Sequence, residues 1–271
     1  MSAQPTSDES ILLERSGSVA TLTLNRPAAL NTLDLAMMQR LVAHVTTIAK
    51  DDEVRCVVVR GNGKHFMAGG DLRTFADRLD AAPAERQVWF TQMVGELHAA
   101  IELLQRIAAP VIASVHGAVA GFGLSLMTAC DLAIASEDAY FTSAYRNIAL
   151  SPDGGGTYSL PRIVGTKKAM EILLLGQRFD AAEALRLGLV NRVVATANLA
   201  QATQEMIDAI VNGPATALGN IKRLVTQSTA RTVSEQLHAE ALSFGQCTAS
   251  PDFVEGITAF LEKRSPRFRN G

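Results

Sequence analysis

Lys64-His65-Phe66-Met67-Ala68-Gly69-Gly70-Asp71-Leu72 is the stretch on which the reading of this chain turns. It follows the apolar, β-branched run Cys56-Val57-Val58-Val59, closed by Gly61, and precedes Leu72 to Leu79, which has the pattern of a short helix. A strand that stops at small residues ahead of a helix leaves backbone N–H groups without intrahelical partners, and these bind an anion or a carbonyl oxygen. Asp71 near the head of the helix also suits an ordinary capped strand-to-helix turn, so this stretch alone supports both readings.

A second stretch repeats the pattern. His116-Gly117-Ala118-Val119-Ala120-Gly121-Phe122-Gly123-Leu124 comes after Pro110-Val111-Ile112-Ala113-Ser114-Val115, the pattern of a buried strand, and opens an apolar helix from Leu124 to Cys130. Small residues let the backbone pass close to a ligand, and the Phe122 N–H stands at a helix start. Two such donors converging on one oxygen would make an oxyanion hole, but sequence spacing does not establish the convergence.

The 271 residues suffice for one large domain, or for a core with a smaller appendage, and 48% hydrophobic content supports a sizeable interior. A formal net charge of −2 argues against a nucleic-acid or anionic-membrane surface, both of which need a basic surplus. The three cysteines, Cys56, Cys130 and Cys247, lie far apart without metal-ligand spacing, so neither a disulfide framework nor a metal site is expected. The first ten residues are polar and carry no secretory pattern. No apolar run reaches the roughly eighteen residues of a membrane span. A reduced, cytoplasmic protein is expected.

Val19 to Leu24 alternates like a strand and Asn25-Arg26-Pro27 turns the chain, after which Asp34 reads as the N-cap of a helix with apolar residues at Leu35, Met38, Leu41, Val42, Val45 and Ile48. A long helix is expected over Ala84 to Ile107, with His98 beside its apolar stripe. Further helices are expected near 123–130 and 166–175, with a strand from Asp131 to Ala135, and from about Thr196 every segment (197–212, 214–227, 232–247, 251–263) has helical spacing. The change to all helix puts a soft boundary near residue 196. Gly121-Phe122-Gly123 lacks the rest of a dinucleotide fingerprint, Gly154-Gly155-Gly156-Thr157 lacks the P-loop lysine, and neither a Gly-x-Ser-x-Gly elbow nor a His-Glu-x-x-His zinc motif occurs.

Phe66 to Leu72 and Ala120 to Gly123, with Ser151-Pro152-Asp153-Gly154-Gly155-Gly156-Thr157 and Leu160-Pro161-Arg162-Ile163-Val164-Gly165, resemble the signature segments of the crotonase (enoyl-CoA hydratase/isomerase) superfamily. Leu24 to Pro27 with Leu30-Asn31, Gly188-Leu189-Val190 and Phe260 to Arg264 extend the likeness over nearly the whole chain from about Ile11. The resemblance implies an α/β fold, a spiral of ββα units with a helical C-terminal region. It divides the chain into a core at 1–195 with the acyl-CoA site and a trimerisation region at 196–271, in a homotrimer or a hexamer built as a dimer of trimers. It also implies an acyl-CoA substrate, with coenzyme A as part of the thioester and no permanently bound cofactor.

By that resemblance the amides of Ala68 and Phe122 would hold the thioester oxygen as an enolate forms. The two positions that carry glutamates in the family's hydratases fall here on Ser125 and Tyr145, neither of which suits general-base work near neutral pH. The Pro152-Asp153-Gly154 segment is similar to one that carries the base in members that move a double bond, including Δ3,Δ2-enoyl-CoA isomerases and the ring-opening isomerases of phenylacetate breakdown. Asp153 is therefore the expected acid/base of an enoyl-CoA isomerase, against the plain alternative that it caps the following helix. Enoyl-CoA hydration is the second reading. His98 falls where aromatic acyl-CoA dehalogenases carry a histidine, which keeps dehalogenation or hydrolysis as a minor reading, and a non-catalytic CoA-ester binder is the remaining class. For the CoA portion the resemblance points to the backbone at Phe66, Met67 and Ala68, to Arg26 and Lys263 for phosphates, with Lys263 reaching from a neighbouring subunit, and to Phe260 beside the cofactor.

Overall fold

A hairpin of β1 (Ile11–Ser16) and β2 (Val19–Leu24) opens the chain, and after the α1 helix (Leu35–Ala49) strand β3 (Cys56–Gly61) pairs parallel to β2 with Leu22 opposite Val59. The computed structural model describes residues 9–268, so most of the polar N-terminal segment lies outside the described residues. Cys56 to Val59 are all buried, because β3 is covered on both faces and a continuous apolar run suits such a strand. Val57 and Val59 point into the main core, Cys56 and Val58 into a second cluster on the opposite face. Burial pushes the Cys56 thiol up to about 12, so this cysteine is an inert packing group. Asp34 caps α1, accepting a hydrogen bond from the Met37 amide at 2.8 Å.

Beyond β3 the chain forms α2 (Leu72–Ala76), the long α3 (Pro83–Arg106), β4 (Val111–Val115), the short β5 (Ala118–Ala120) and α4 (Phe122–Ala129). It continues through β6 (Leu132–Ser136), β7 (Tyr140–Thr142), a 3-10 turn at Tyr145–Ile148 and α5 (Gly156–Leu175). Then come β8 (Phe179–Asp180), α6 (Ala181–Arg186), β9 (Arg192–Val194), α7 (Leu199–Val211), α8 (Ala215–Ser228), α9 (Val233–Thr248) and α10 (Pro251–Leu261). The main sheet runs β1-β2-β3-β4-β6-β9 and the small sheet β5-β7-β8.

The spiral is visible in how each turn of chain feeds both sheets. β4 joins the main sheet, β5 the small one, and α4 follows; β6, β7 and α5 repeat the order one layer on. The turn before them does the same with a single residue, since Met67 bridges Val119 in parallel after β3 and ahead of α2 and α3. Helix α5 kinks where Gly165 departs from helical geometry (φ 76°), so its second limb matches the helix expected near 166–175. The three-residue strands β5 and β7, which give the small sheet its register, carry too little alternation to be read from sequence.

α7 belongs physically with the α/β layers: Ile207 and Ile210 pack on Cys56, Val58 and Ile112 and close the second face of the main sheet. α8 is pinned by a buried charge. Lys222 Nζ reaches Asp131 Oδ2 at 2.7 Å and donates to the carbonyls of Leu104 and Ala109, while Val111 N–H donates to the same carboxylate at 2.7 Å. Burial pushes the Asp131 carboxyl up and the Lys222 ammonium opposes it. Truncating Lys222 leaves that carboxylate enclosed without its counter-charge, so Lys222→Ala is expected to lose about 3–5 kcal/mol of stability. Chemical denaturation measures this, and a loss below about 1 kcal/mol would show that the pair does not anchor α8.

Candidate active site

Two loops meet because their backbones pair. Phe66 N–H donates to the His116 carbonyl at 2.8 Å, Met67 N–H to the Ala118 carbonyl at 3.0 Å, and Ala120 N–H to the Met67 carbonyl at 2.9 Å. Gly123 lets α4 come close enough, for a Cβ there would lie 2.5 Å from the Met67 carbonyl oxygen. Gly69, at φ 97°, faces Gly121, and a Cβ on it would lie 3.8 Å from the Phe122 nitrogen. The two segments therefore lie side by side, and Ala68-Gly69 and the first residue of α4 line one space.

The two amides differ in how free they are. Phe122 N–H opens α4 and so has no intrahelical acceptor. Ala68 N–H donates to the Leu30 carbonyl at 3.1 Å, presented by a turn in which Leu30 and Asn31 both have φ 55°. A thioester oxygen entering here has to share that donor or displace Leu30. Asn31 fixes the turn from a fully buried position, donating to the carbonyls of Asn62 and His65 and accepting from Arg26 N–H.

The residues expected to hold the CoA portion lie in three different settings. The amides of Phe66 and Met67 are spent on the cross-loop pairing and both side chains are fully buried, so neither residue offers its N–H to a ligand. Arg26 is likewise committed: its Nη2 lies 3.0 Å from both Asp34 and Asp71, and its Nη1 donates to the Thr32 carbonyl. Asp71 caps α2 and, although burial opposes it, hydrogen bonds from Arg73 and Arg26 hold its carboxyl below the usual range. Phe260 and Lys263 stand at the far end of α10, outside the cavity of their own chain, with Phe260 82% exposed.

The cavity itself is about 720 Å³ and lies between α2, α3 and the loops. Met38, Phe75, Phe90, Met93, Val94 and Leu97 make its apolar wall, with Phe75 and Phe90 edge to face at 5.1 Å. Among the described residues lining it there is no Lys or Arg, and the ionisable side chains that do line it are Asp34, His98, Tyr145 and Asp153. Asp34 is matched by Arg26, which leaves Asp153 as the carboxylate beside the converging loops.

Asp153 is not a helix cap. α5 begins at Gly156 with Gly155 in the cap position, and no side chain caps it. The Asp153 carboxylate instead accepts a hydrogen bond from the Tyr145 hydroxyl, while its backbone carbonyl accepts from Ser125 Oγ at 2.8 Å. Burial pushes the Asp153 carboxyl above the ordinary carboxylate range, against the opposing hydrogen bond from Tyr145. Burial and the Asp153 charge drive the Tyr145 hydroxyl far above its usual range, so it stays a protonated donor.

His98 does reach the site, in a different role from the one expected. Gly154 N–H donates to its Nε2 at 3.1 Å, which puts the ring proton on Nδ1 and occupies the lone pair that base chemistry at Nε2 would need. In this geometry His98 holds the 153–154 segment through that hydrogen bond. Sequence reasoning placed Ser125 and Tyr145 at the site but missed that both bind Asp153. Residue type alone did not reveal it.

Two paired loops thus meet at the edge of an apolar cavity that carries an acid. The chain belongs to the enoyl-CoA hydratase/isomerase family, whose model matches residues 14–271. It is 33% identical over 258 residues to trans-2-decenoyl-[acyl-carrier-protein] isomerase of Streptococcus mutans, covering 95% of this chain and 97% of the relative. It is 35% identical over 268 residues to 1,2-epoxyphenylacetyl-CoA isomerase of Escherichia coli, covering 96% and 98%. The crystal structure of an enoyl-CoA hydratase from Polaromonas sp. JS666 superposes with a TM-score of 0.89 at 34% identity, covering 96% of this chain and 99% of that one. The fold is the crotonase fold and the protein is an enzyme of that family.

Two glycines test the packing behind the site. Gly123→Ala forces Met67 and α4 apart and is expected to cost about 1–3 kcal/mol, the usual range for overpacking. Gly95, inside α3 on the cavity wall, has nothing within 4 Å of an added Cβ, so Gly95→Ala is expected to gain up to about 1 kcal/mol of helix stability. Urea melts of the two variants check the contrast; equal effects would contradict the close approach at Gly123.

Proposed function

We propose that this enzyme moves a carbon–carbon double bond within an enoyl-CoA, with Asp153 as the single acid/base. The observation that carries the reading is that one unmatched carboxylate, Asp153, stands beside the converging loops while both hydratase glutamate positions hold Ser125 and Tyr145. Asp153 takes a proton from C2 of a 3-enoyl thioester and breaks that C–H bond. The electron pair passes to the thioester oxygen, giving a dienolate held by the amides of Phe122 and Ala68. The proton then returns at C4, and the double bond ends between C2 and C3. A preorganised amide donor of this kind is typically worth about 3–4 kcal/mol to such a step.

The acyl part of the substrate is apolar and uncharged, because among the described residues the cavity wall has no Lys or Arg to pair with a terminal carboxylate. Coenzyme A enters as part of the substrate, and the protein holds no permanent cofactor. Lys263 and Phe260 serve the CoA of a neighbouring subunit, a role supported by their exposure at the end of α10 and their distance from their own cavity. The segment 196–271 supplies trimer contacts, in a homotrimer or a dimer of trimers; exposed Val233, Phe244, Phe260 and Leu261 on α9 and α10 support this. The three free cysteines fit a cytoplasmic setting.

Hydration is the second reading, since solved relatives of the same fold are hydratases. Incubation with a 3-enoyl-CoA and a 2-enoyl-CoA, followed by mass and by conjugated-enoyl absorbance, separates the two. Conversion of the 3-enoyl ester at constant mass is expected, with Asp153→Asn lowering turnover about 10³-fold while CoA-ester binding persists. A gain of one water on the 2-enoyl ester as the main product would overturn the isomerase reading, and binding without any turnover of either ester would point to a CoA-ester binder.

A further inference from the structure

We infer that Tyr145 and Ser125, which stand where the family's hydratases carry their glutamates, act here as positioning residues that clamp Asp153 and make it a competent base. The inference rests on the isomerase reading above and concerns what makes Asp153 work. Three elements converge on a single short segment. Tyr145 from the 3-10 turn donates to the Asp153 carboxylate, Ser125 from α4 donates to its backbone carbonyl at 2.8 Å, and His98 from α3 accepts the next amide, Gly154 N–H, at 3.1 Å. Ser125 Oγ also lies 3.5 Å from the Tyr145 hydroxyl, so the two holders touch each other as well as their target.

The segment needs such a clamp. Gly154 and Gly155 both have positive φ, at 58° and 78°, and glycine gives the backbone there little stiffness of its own. Gly154 also fits where a side chain would not, since its Cβ would lie 2.8 Å from the Phe122 ring and 2.9 Å from Ser125 Cβ. The segment that carries Asp153 therefore packs, at Gly154, against the ring of the first residue of α4, whose amide is one of the two proposed thioester donors. With one carboxylate oxygen bound to Tyr145, the other is left to face the acyl carbon.

The clamp also has an electrostatic consequence. A hydrogen bond to the ionised carboxylate favours that form, opposing the burial that favours the neutral acid. The groups facing Asp153 are Tyr145, Ser125 and His98, and among the described residues no Lys or Arg lines the cavity to substitute for them. Removing the Tyr145 hydroxyl raises the carboxyl further, so the base is lost at a higher pH as the solution is acidified. Ser125 touches only the backbone of Asp153, so its loss should loosen the base without retuning it.

The test is the pH profile of kcat/KM for a 3-enoyl-CoA, together with KM and kcat at the plateau, for the full-length enzyme and its Tyr145→Phe, Ser125→Ala, His98→Gln and Asp153→Asn variants. Tyr145→Phe keeps the ring that packs in the cavity, and its acid limb is expected to move up by about one pH unit or more while the plateau kcat falls about tenfold at nearly unchanged KM. Ser125→Ala is expected to lower the plateau with the limb in place. In His98→Gln, whose amide oxygen can still accept from Gly154, the limb should persist; its disappearance would assign it to the histidine and overturn the inference. An unmoved limb and plateau in Tyr145→Phe would overturn it too. If Asp153→Asn itself kept turnover, the isomerase reading would fall first, whereas an inactive Asp153→Asn beside an unaffected Tyr145→Phe would defeat the clamp alone.

Discussion

The site depends on a short stretch of backbone pairing between two loops. Met67 exchanges hydrogen bonds with Ala118 and Ala120, and this single bridge brings the end of β3 and the start of α4 into one place. The buried central strands fix where the loops begin, and Gly123 and Gly69 remove the side chains that would hold them apart. Arg26, Asp34, Asp71 and Asn31 then lock the 30–34 and 66–72 segments to each other from below. These polar residues spend their hydrogen-bonding capacity on geometry, which is why several that look exposed to a ligand on paper are closed to one in the fold.

On the other side of the cavity the same economy holds a single carboxylate in place. Ser125 and Tyr145 have no carboxylate to offer, and read singly they suggest a disabled hydratase. Placed together they surround Asp153, a carboxylate supplied by a different segment. The Tyr145 hydroxyl, kept protonated by burial and by the neighbouring charge, stays a donor and does not compete for the proton that Asp153 is proposed to move. The apolar wall from α3 and the Phe75–Phe90 pair face this carboxylate across the cavity, and a low-dielectric surrounding strengthens polar contacts of this kind.

How much of this was legible in the sequence depended on whether the signal was local. The run Cys56 to Val59, the caps Asp34 and Asp71, and the helical spacing of every segment beyond residue 196 are local features, and the elements formed within a few residues of where they were expected. β5 and β7 were not legible, because three-residue strands beside glycines look like loop and owe their pairing to the sheet. The partners of Arg26 and the Leu30 carbonyl that meets Ala68 N–H come from separate turns of the spiral, so no spacing rule exposes them. His98 was placed at the site by resemblance, but the direction of its hydrogen bond needed the position of Gly154. The change to helical spacing likewise suggested a soft division near 196 without showing that α7 closes the main sheet.

The central claim is that Asp153 moves a proton on the acyl chain of a CoA thioester. The most direct measurement is isotope exchange: a 2-enoyl-CoA is held with the enzyme in heavy water and its mass is followed over time. The account predicts that the wild-type protein places deuterium in the acyl chain without adding water, and that Asp153→Asn binds the ester but leaves its mass unchanged. Exchange at the wild-type rate in Asp153→Asn would contradict it, because another group would then be the base.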